Sequence, residues 1–305
     1  MKYLVLMITM ILLLAGCAEK GDDLTLGATE TYISETMHLQ KESETIEPST
    51  AATEPELHRL LVDPKNTDFV RICDYIPGIL TELKYSTADN FTGQVIYEFE
   101  DAYLRYGTVM KLRSVSDELA QHGLKLKIWD GFRPVSAQFK LWDICPDPTY
   151  VANPNQGYSN HSRGFAVDLT LVDEFGNELQ MPTEFDDFSA KADRDYSDCD
   201  SISAENAQLL ESVMEKYGFQ GYWGEWWHFN DTEKYDVERY FDPAVTALRF
   251  AEKAADLLEC YWDGSSAILT VPAGEAVTLL GFCEEYALVE YWGYRGYLPS
   301  SDLRE

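Results

Sequence analysis

Residues 159–168 read S-N-H-S-R-G-F-A-V-D, and residues 224–228 read G-E-W-W-H. The first stretch offers the imidazole of His161 and the carboxylate of Asp168 among small and apolar neighbours. The second offers His228, with Glu225 three positions before it. Two imidazoles and a carboxylate form a nitrogen–oxygen ligand set suited to zinc. Three protein ligands leave a fourth position open for water, which separates catalytic zinc sites from closed structural ones. Taken singly, a histidine in apolar text is more often a hydrogen-bonded core residue than a ligand. The pair weighs differently, because the chain has only five histidines. His38 and His58 fall in or beside a polar N-terminal stretch and His122 falls at an expected helix end, which leaves His161 and His228 on core elements. Asp168, inside F-A-V-D-L, would carry a charge that is costly to bury without a cation. Glu225 reads either as a salt-bridge partner or as a group beside a metal's water.

The elements that must hold these side chains follow from periodicity. Leu104, Leu112, Val115 and Leu119 repeat at helical spacing and predict a helix over residues 102–121, closed by Gly123. L-K-L-K-I-W-D alternates as a half-buried strand and breaks at Gly131 and Pro134; Pro134 opens a second helix to about Trp142. Arg133 therefore sits at a strand-to-helix corner, from which a side chain reaches a cleft. Residues 165–172 are strand-like and place Asp168 on a strand, with His161 on the loop leading in. E-F-G-N-E then makes a hairpin turn. A helix is predicted over residues 204–217 with Ser203 as its N-cap, showing Leu209, Leu210, Val213, Met214 and Tyr217 on one face. After Gly218, F-Q-G-Y-W-G-E-W-W-H-F reads as one aromatic-rich strand carrying Glu225 and His228.

At 305 residues, 45% hydrophobic and 13% aromatic, the chain can bury one mid-sized core and a smaller second module. Against 53 acidic residues stand 24 basic ones, a net charge of −29 without a basic stripe, which excludes nucleic acid as a partner. Residues 1–17 combine Lys2, a short apolar run and L-A-G-C. The run suits a secretory signal, and the ending resembles a bacterial lipoprotein signal, in which cleavage leaves Cys17 lipid-bearing. An acylated Cys17 implies an exported protein anchored by lipid to the outer face of the membrane. Residues 18–60 are rich in Glu, Thr and Ser and read as a disordered tether. Beyond Cys17, the cysteines are Cys73, Cys145, Cys199, Cys260 and Cys283. An odd number in an exported chain leaves at least one thiol free or intermolecularly paired. A Cys260–Cys283 bridge is left open.

Past residue 249 the texture changes. A short helical run gives way to β segments separated by Gly and Pro, among them V-P-A-G-E and G-Y-L-P-S-S-D-L. This pattern resembles a bacterial SH3-like domain, here over residues 249–305. The resemblance implies a small all-β barrel that docks onto cell-wall peptides or other proteins.

The chemistry-bearing motifs also resemble a family. S-x-H-x-x-G-x-A-x-D at Ser159, His161, Gly164, Ala166 and Asp168, with E-x-W-H at Glu225, Trp227 and His228, is similar to the zinc D-alanyl-D-alanine dipeptidases, which belong with related D,D-carboxypeptidases. D-G-F-R-P at residues 130–134 looks like the third signature. The likeness spans roughly residues 61–242, and the catalytic domain is taken as residues 61–245. It implies an α+β fold, an antiparallel sheet with flanking helices. It further implies one zinc ion on His161, Asp168 and His228, Glu225 as general base and then acid, and Arg133 as stabiliser of the tetrahedral intermediate. By the same resemblance, Asp186 meets the free amine of the dipeptide, Tyr85 in K-Y-S-T lines that pocket, and Ser159 contacts substrate. The chain departs from the family at Met181-Pro182-Thr183, where glycine more often follows methionine.

The leading expectation is thus a cell-surface lipoprotein that hydrolyses D-alanyl-D-alanine with zinc. The alternatives are a D,D-carboxypeptidase trimming wall stem peptides, favoured by the SH3-like segment, and a non-catalytic module that senses wall fragments. Retention of both Glu225 and Arg133 speaks against the last, since binding alone needs neither.

Overall fold

Residues 60–305 are described by the structure, a computed structural model. The expected signal peptide, Cys17 and all but the last residue of the tether lie outside the described residues. Among the described residues, no helix is long and apolar enough to cross a membrane.

The described residues open with β1 (Phe69–Arg71), a short α1 (Ile72–Tyr75), β2 (Leu80–Thr81), β3 (Tyr103–Arg105) and α2 (Tyr106–Ala120). The helix predicted from residue 102 starts later because β1 pairs with β3, and the Arg105 amide donates to the Gly164 carbonyl. Those backbone groups are committed before helical bonds can form. Next come β4 (Lys125–Asp130), α3 (Val135–Ile144) with Pro134 at its N-cap, and β5 (Ala166–Val172). Helix α4 (Ser201–Lys216) is capped by Asp200, whose carboxylate accepts from the amides of Ile202 and Ser203. The expected cap, Ser203, sits inside the first turn and donates its own hydroxyl to Asp200. A carboxylate that accepts from two orphan amides outcompetes a single serine hydroxyl.

The aromatic run expected to be one strand is a hairpin, β6 (Phe219–Tyr222) and β7 (Glu225–Asp231). Tyr222 pairs with Glu225, so the turn falls on Trp223 and Gly224. The resulting sheet has the order β2-β4-β5-β7-β6; β2 joins β4 in parallel and the other pairings are antiparallel. Helices α2 and α4 bury Leu112, Val115 and Leu119, and Leu210, Val213 and Met214, in the core that also takes Leu169, Leu171 and Phe229 from the sheet. Sheet and flanking helices are those that the family resemblance implies, but the sheet is mixed, not wholly antiparallel, because of the parallel β2–β4 pair.

The C-terminal part is all-β and contains no α-helix. Residues read as a short helical run instead form β8 (Ala247–Ala251) and β9 (Ala255–Leu258). They are followed by β10 (Ala267–Val271), β11 (Ala276–Cys283), β12 (Tyr286–Tyr291), β13 (Tyr294–Pro299) and β14 (Leu303–Arg304). The antiparallel sheet runs β10-β9-β13-β12-β11-β8-β14. The expected barrel is not formed: β8 takes the outer edge of β11, β9 takes that of β13, and β10 and β14 remain unjoined edges. Cys260 and Cys283 do not pair; the five described cysteines are free thiols.

An aromatic cluster of Phe69, Tyr103, Phe132, Phe241, Leu280 and Leu288 joins this sheet to the rest. Phe69 stacks on Phe241 with centroids 4.9 Å apart. Gly281 permits the join, because a Cβ there would lie 1.6 Å from the Tyr240 carbonyl oxygen.

Gly164 serves the site more directly. It has φ of 75°, and a Cβ would lie 2.4 Å from the Phe69 ring. Gly164→Ala is expected to destabilise the chain by about 2 kcal/mol or more, from left-handed strain and overpacking together. Urea unfolding of the metal-free protein checks this, and a change below about 0.5 kcal/mol counts against it.

Candidate active site

Strand register assembles the centre. Asp130 on β4 is paired with Asp168 on β5, and Asp168 is paired with His228 on β7, which sets three functional residues in a row across adjacent strands. A register shift between Ile128 and Asp130 turns the end of β4 into the D-G-F-R-P corner. His161 comes from a single 3-10 turn, His161–Arg163, that Gly164 closes. The corner and the turn hold each other. Arg133 donates its amide to the His161 carbonyl at 3.3 Å, and the His161 ring donates Nδ1–H to the Gly131 carbonyl at 2.8 Å.

These bonds decide which ring atoms face inward. With its proton on Nδ1, His161 presents Nε2. His228 places Nε2 at 3.2 Å from the Asn230 amide oxygen and presents Nδ1. The two inward nitrogens lie 3.2 Å apart, and His228 Nδ1 is 2.9 Å from Asp168 Oδ1. One ligand atom each from His161, Asp168 and His228 falls within 4.8 Å of the others. Two lone pairs and a carboxylate that converge in a buried pocket require a shared cation, a proton or a metal. Charge follows the same logic. Burial works to raise Asp168, but His161 and His228 outweigh it and hold Asp168 well below the usual carboxylate range. Burial works to lower His228, and its bond to Asp168 overcomes that and raises it. The donor set fits zinc.

Arg133 is buried and tightly gripped. Its Nη2 and Nε donate to Asp130 Oδ2 at 2.6 and 3.2 Å, Nε also meets the Tyr97 hydroxyl, and Nη1 donates to Gln138 Oε1 at 3.0 Å. Asp130 is itself buried and spends its other oxygen on the Tyr97 hydroxyl and the Gly131 amide. The guanidinium lies 5.1 Å from the Tyr85 ring centroid. Burial opposes its charge, yet Asp130 leaves its pKa raised.

The remaining residues singled out by sequence line the same cavity of about 310 Å³: Tyr85, Ser159, Asp186 and Glu225. Glu225 is 3.8 Å from His228 Nδ1; burial raises its pKa, and Asp168 adds to that against the pull of His228. Asp186 has a φ of 58° and accepts from the Tyr85 hydroxyl at 3.0 Å. Burial, with repulsion from Asp168, holds its carboxyl well above the usual range. Met181-Pro182-Thr183, the departure from the family pattern, leaves Asp186 in the pocket, and Thr183 accepts the Trp226 indole N–H. Ser159 is buried and accepts the His161 amide at 3.2 Å. A larger cavity of about 410 Å³, lined by Arg105, Glu238 and Arg295 among others, contains none of these groups.

Sequence reasoning missed the residues that hold these in place. Gln138 bridges Arg133 to the Ala152 carbonyl of the loop over the pocket. Arg194 is buried behind β7 and donates to the carbonyls of Tyr222, Glu225, Trp226 and His228. Gly221 makes room for it, since a Cβ there would lie 2.3 Å from the guanidinium carbon. Only the Gln138 position, inside α3 and one turn past Arg133, carried a signal. Arg194 stands in charged loop text and carried none.

Removing Asp130 would leave a buried, unpaired guanidinium. Asp130→Ala is expected to lose about 3–5 kcal/mol of stability. Chemical unfolding measures it, and a loss under about 1 kcal/mol would mean that the pair is not what fixes Arg133.

Comparison with known proteins identifies the family. The profile of the family Peptidase_M15, described as D-Ala-D-Ala dipeptidase, matches residues 65–246. The D-alanyl-D-alanine dipeptidase of Escherichia coli K12 is 40% identical over 163 residues, 53% of this chain and 84% of that protein. The enzyme of the same name from Enterococcus faecalis is 31% identical over 198 residues, 58% of this chain and 98% of its own length. Solved structures match more loosely: VanYB in complex with D-alanine-D-alanine shares 18% identity over 43% of this chain and 73% of its own, at a TM-score of 0.30, too loose to place anything at the site. With the profile spanning more than half of its length, the chain belongs to the Peptidase_M15 family of D-Ala-D-Ala dipeptidases and is a metallopeptidase.

Proposed function

We propose that this protein hydrolyses free D-alanyl-D-alanine with one zinc ion held by His161, Asp168 and His228. The observation that carries the reading is the convergence of His161 Nε2, His228 Nδ1 and the Asp168 carboxylate within 4.8 Å, with Glu225 3.8 Å from His228. What zinc supplies there when bound is Lewis acidity and a water whose pKa falls from about 15.7 toward about 7. Glu225 takes the water's proton and passes it to the leaving amine; its raised pKa suits a group that must hold that proton between the two transfers. Arg133 keeps its charge throughout and donates to the oxyanion as it develops, prealigned by Asp130, Tyr97 and Gln138. Ser159 lines the same cavity and contacts the substrate.

Asp186 and Tyr85 give the reading its substrate. Asp186 lies half-buried beside the Tyr85 hydroxyl, and an incoming ammonium brings the positive charge that this carboxyl lacks. A substrate with a blocked amine leaves that pair unmatched, a mispairing that costs several kcal/mol. The free dipeptide is therefore favoured over a longer stem peptide.

We also propose that the chain is exported and tethered by lipid on Cys17 through residues 18–60. In this proposal residues 249–305, an open all-β sheet with SH3-like sequence motifs, form a module that meets peptidoglycan. The support is the L-A-G-C sequence at residues 14–17 and the all-β character of the C-terminal part.

Two assays test the chemistry. The purified zinc-loaded enzyme is expected to cleave D-Ala-D-Ala at least about 100-fold faster than its N-acetyl form. A pentapeptide ending in D-Ala-D-Ala that is turned over faster than the dipeptide would instead make the protein a D,D-carboxypeptidase. Glu225→Ala should keep its zinc and lose about 10²- to 10⁴-fold in kcat. For the anchor, Cys17→Ser should move the protein from the membrane to the soluble fraction, and an unchanged membrane share would remove Cys17 from the proposal.

A further inference from the structure

His228 is the one proposed ligand that offers the ring nitrogen nearer its own backbone. A neutral imidazole carries one proton, and the acceptor beside one nitrogen decides which nitrogen is bare. For His161 that acceptor is the Gly131 carbonyl. For His228 it is a side chain: the Asn230 amide oxygen, 3.2 Å from Nε2. Asn230 follows His228 by two on β7 and so shares its face of the sheet.

An amide presents either an acceptor or a donor, so the orientation of Asn230 matters. Asn160 donates Nδ2–H to the same Asn230 oxygen at 2.8 Å. The oxygen thereby faces both the Asn160 amide and the His228 ring, and the donor half of Asn230 is turned away. Asn160 immediately precedes His161, and its side chain is exposed. One hydrogen-bonded bridge thus spans the two ligand motifs from just outside the centre. It joins residues next in line to both histidines, and neither asparagine is a ligand.

We infer that Asn230, oriented by Asn160, is the positioning residue that fixes His228 in its Nε2–H tautomer and presents Nδ1 to the ion. The inference rests on the zinc reading above. Asn230 touches neither substrate nor ion; it acts through His228 alone. A flipped or freely rotating ring would give the ion a nitrogen at the wrong reach.

The test is zinc affinity of the full chain, measured by competition with a chromophoric chelator, beside the thermal unfolding midpoint of the metal-free protein. Asn230→Ala is expected to bind zinc about 10- to 100-fold more weakly. Its metal-free unfolding midpoint should stay unchanged, because the substitution spares the backbone ladder. Asn230→Asp keeps an oxygen that accepts the same N–H, so it should bind at least as tightly as wild type. Asn160→Ala should weaken binding by a smaller factor and add nothing in the double variant, since both act through one oxygen. If Asn230→Ala binds within about a factor of two of wild type, the inference falls while the zinc reading stands. If Asn230→Ala and Asn230→Asp are weakened equally, the loss comes from packing and the inference is again overturned. A wild-type chain that binds no zinc would overturn both.

Discussion

Mutual repulsion is the constraint around which this structure is arranged. Two inward-facing imidazole nitrogens 3.2 Å apart, with a buried carboxylate 2.9 Å from one of them, do not stay together without a shared proton or metal. They are held by a rigid frame. Strand pairing sets Asp168 opposite His228, and the Gly164-closed turn brings His161 over them. The cost of holding these groups together is the affinity that the site has for a cation.

The frame extends outward in hydrogen bonds. The D-G-F-R-P corner orients His161 through the Gly131 carbonyl, and through Asp130 it aims Arg133. Its one aromatic residue, Phe132, packs into the cluster that binds the C-terminal sheet. One five-residue corner thus touches a proposed ligand, the proposed oxyanion donor and the second part of the protein. Behind β7, Arg194 collects the carbonyls of Glu225 and His228, so the proposed base and a proposed ligand share one support. Preorganisation of this kind keeps reacting groups within tolerance without reorganisation during the reaction.

The carboxyls of the pocket are set apart in charge. Asp168 is stabilised as an anion by the two histidines, whereas Asp186 and Glu225 are pushed up by burial and by the charge of Asp168. Carboxyls whose environments drive their pKa values apart are suited to different tasks, one to hold a cation and others to exchange protons or meet an ammonium.

What the sequence determined was the candidate donor set and the broad class: two histidines and an aspartate in dense apolar text, an acid three residues from one of them, an arginine at a strand end, and helical and β periodicities strong enough to place the main elements. Those features survive without coordinates because they depend on residue type and local spacing. Errors arose where long-range pairing overrode local preference. Residues 103–105 became strand because β1 was there to pair, residues 247–258 became strands, and the C-terminal sheet stayed open instead of closing into a barrel; the one local difference is the cap of α4, where Asp200 displaced Ser203. Only the tertiary structure could decide which nitrogen of each histidine faces inward, that Asp130 is spent on Arg133, and that Gln138, Arg194 and Asn230 support the site. Those outcomes depend on side chains brought within 3 Å or so by strand register and loop closure, even where the partners stand only two to five residues apart, because residue type and spacing do not fix which way a side chain turns.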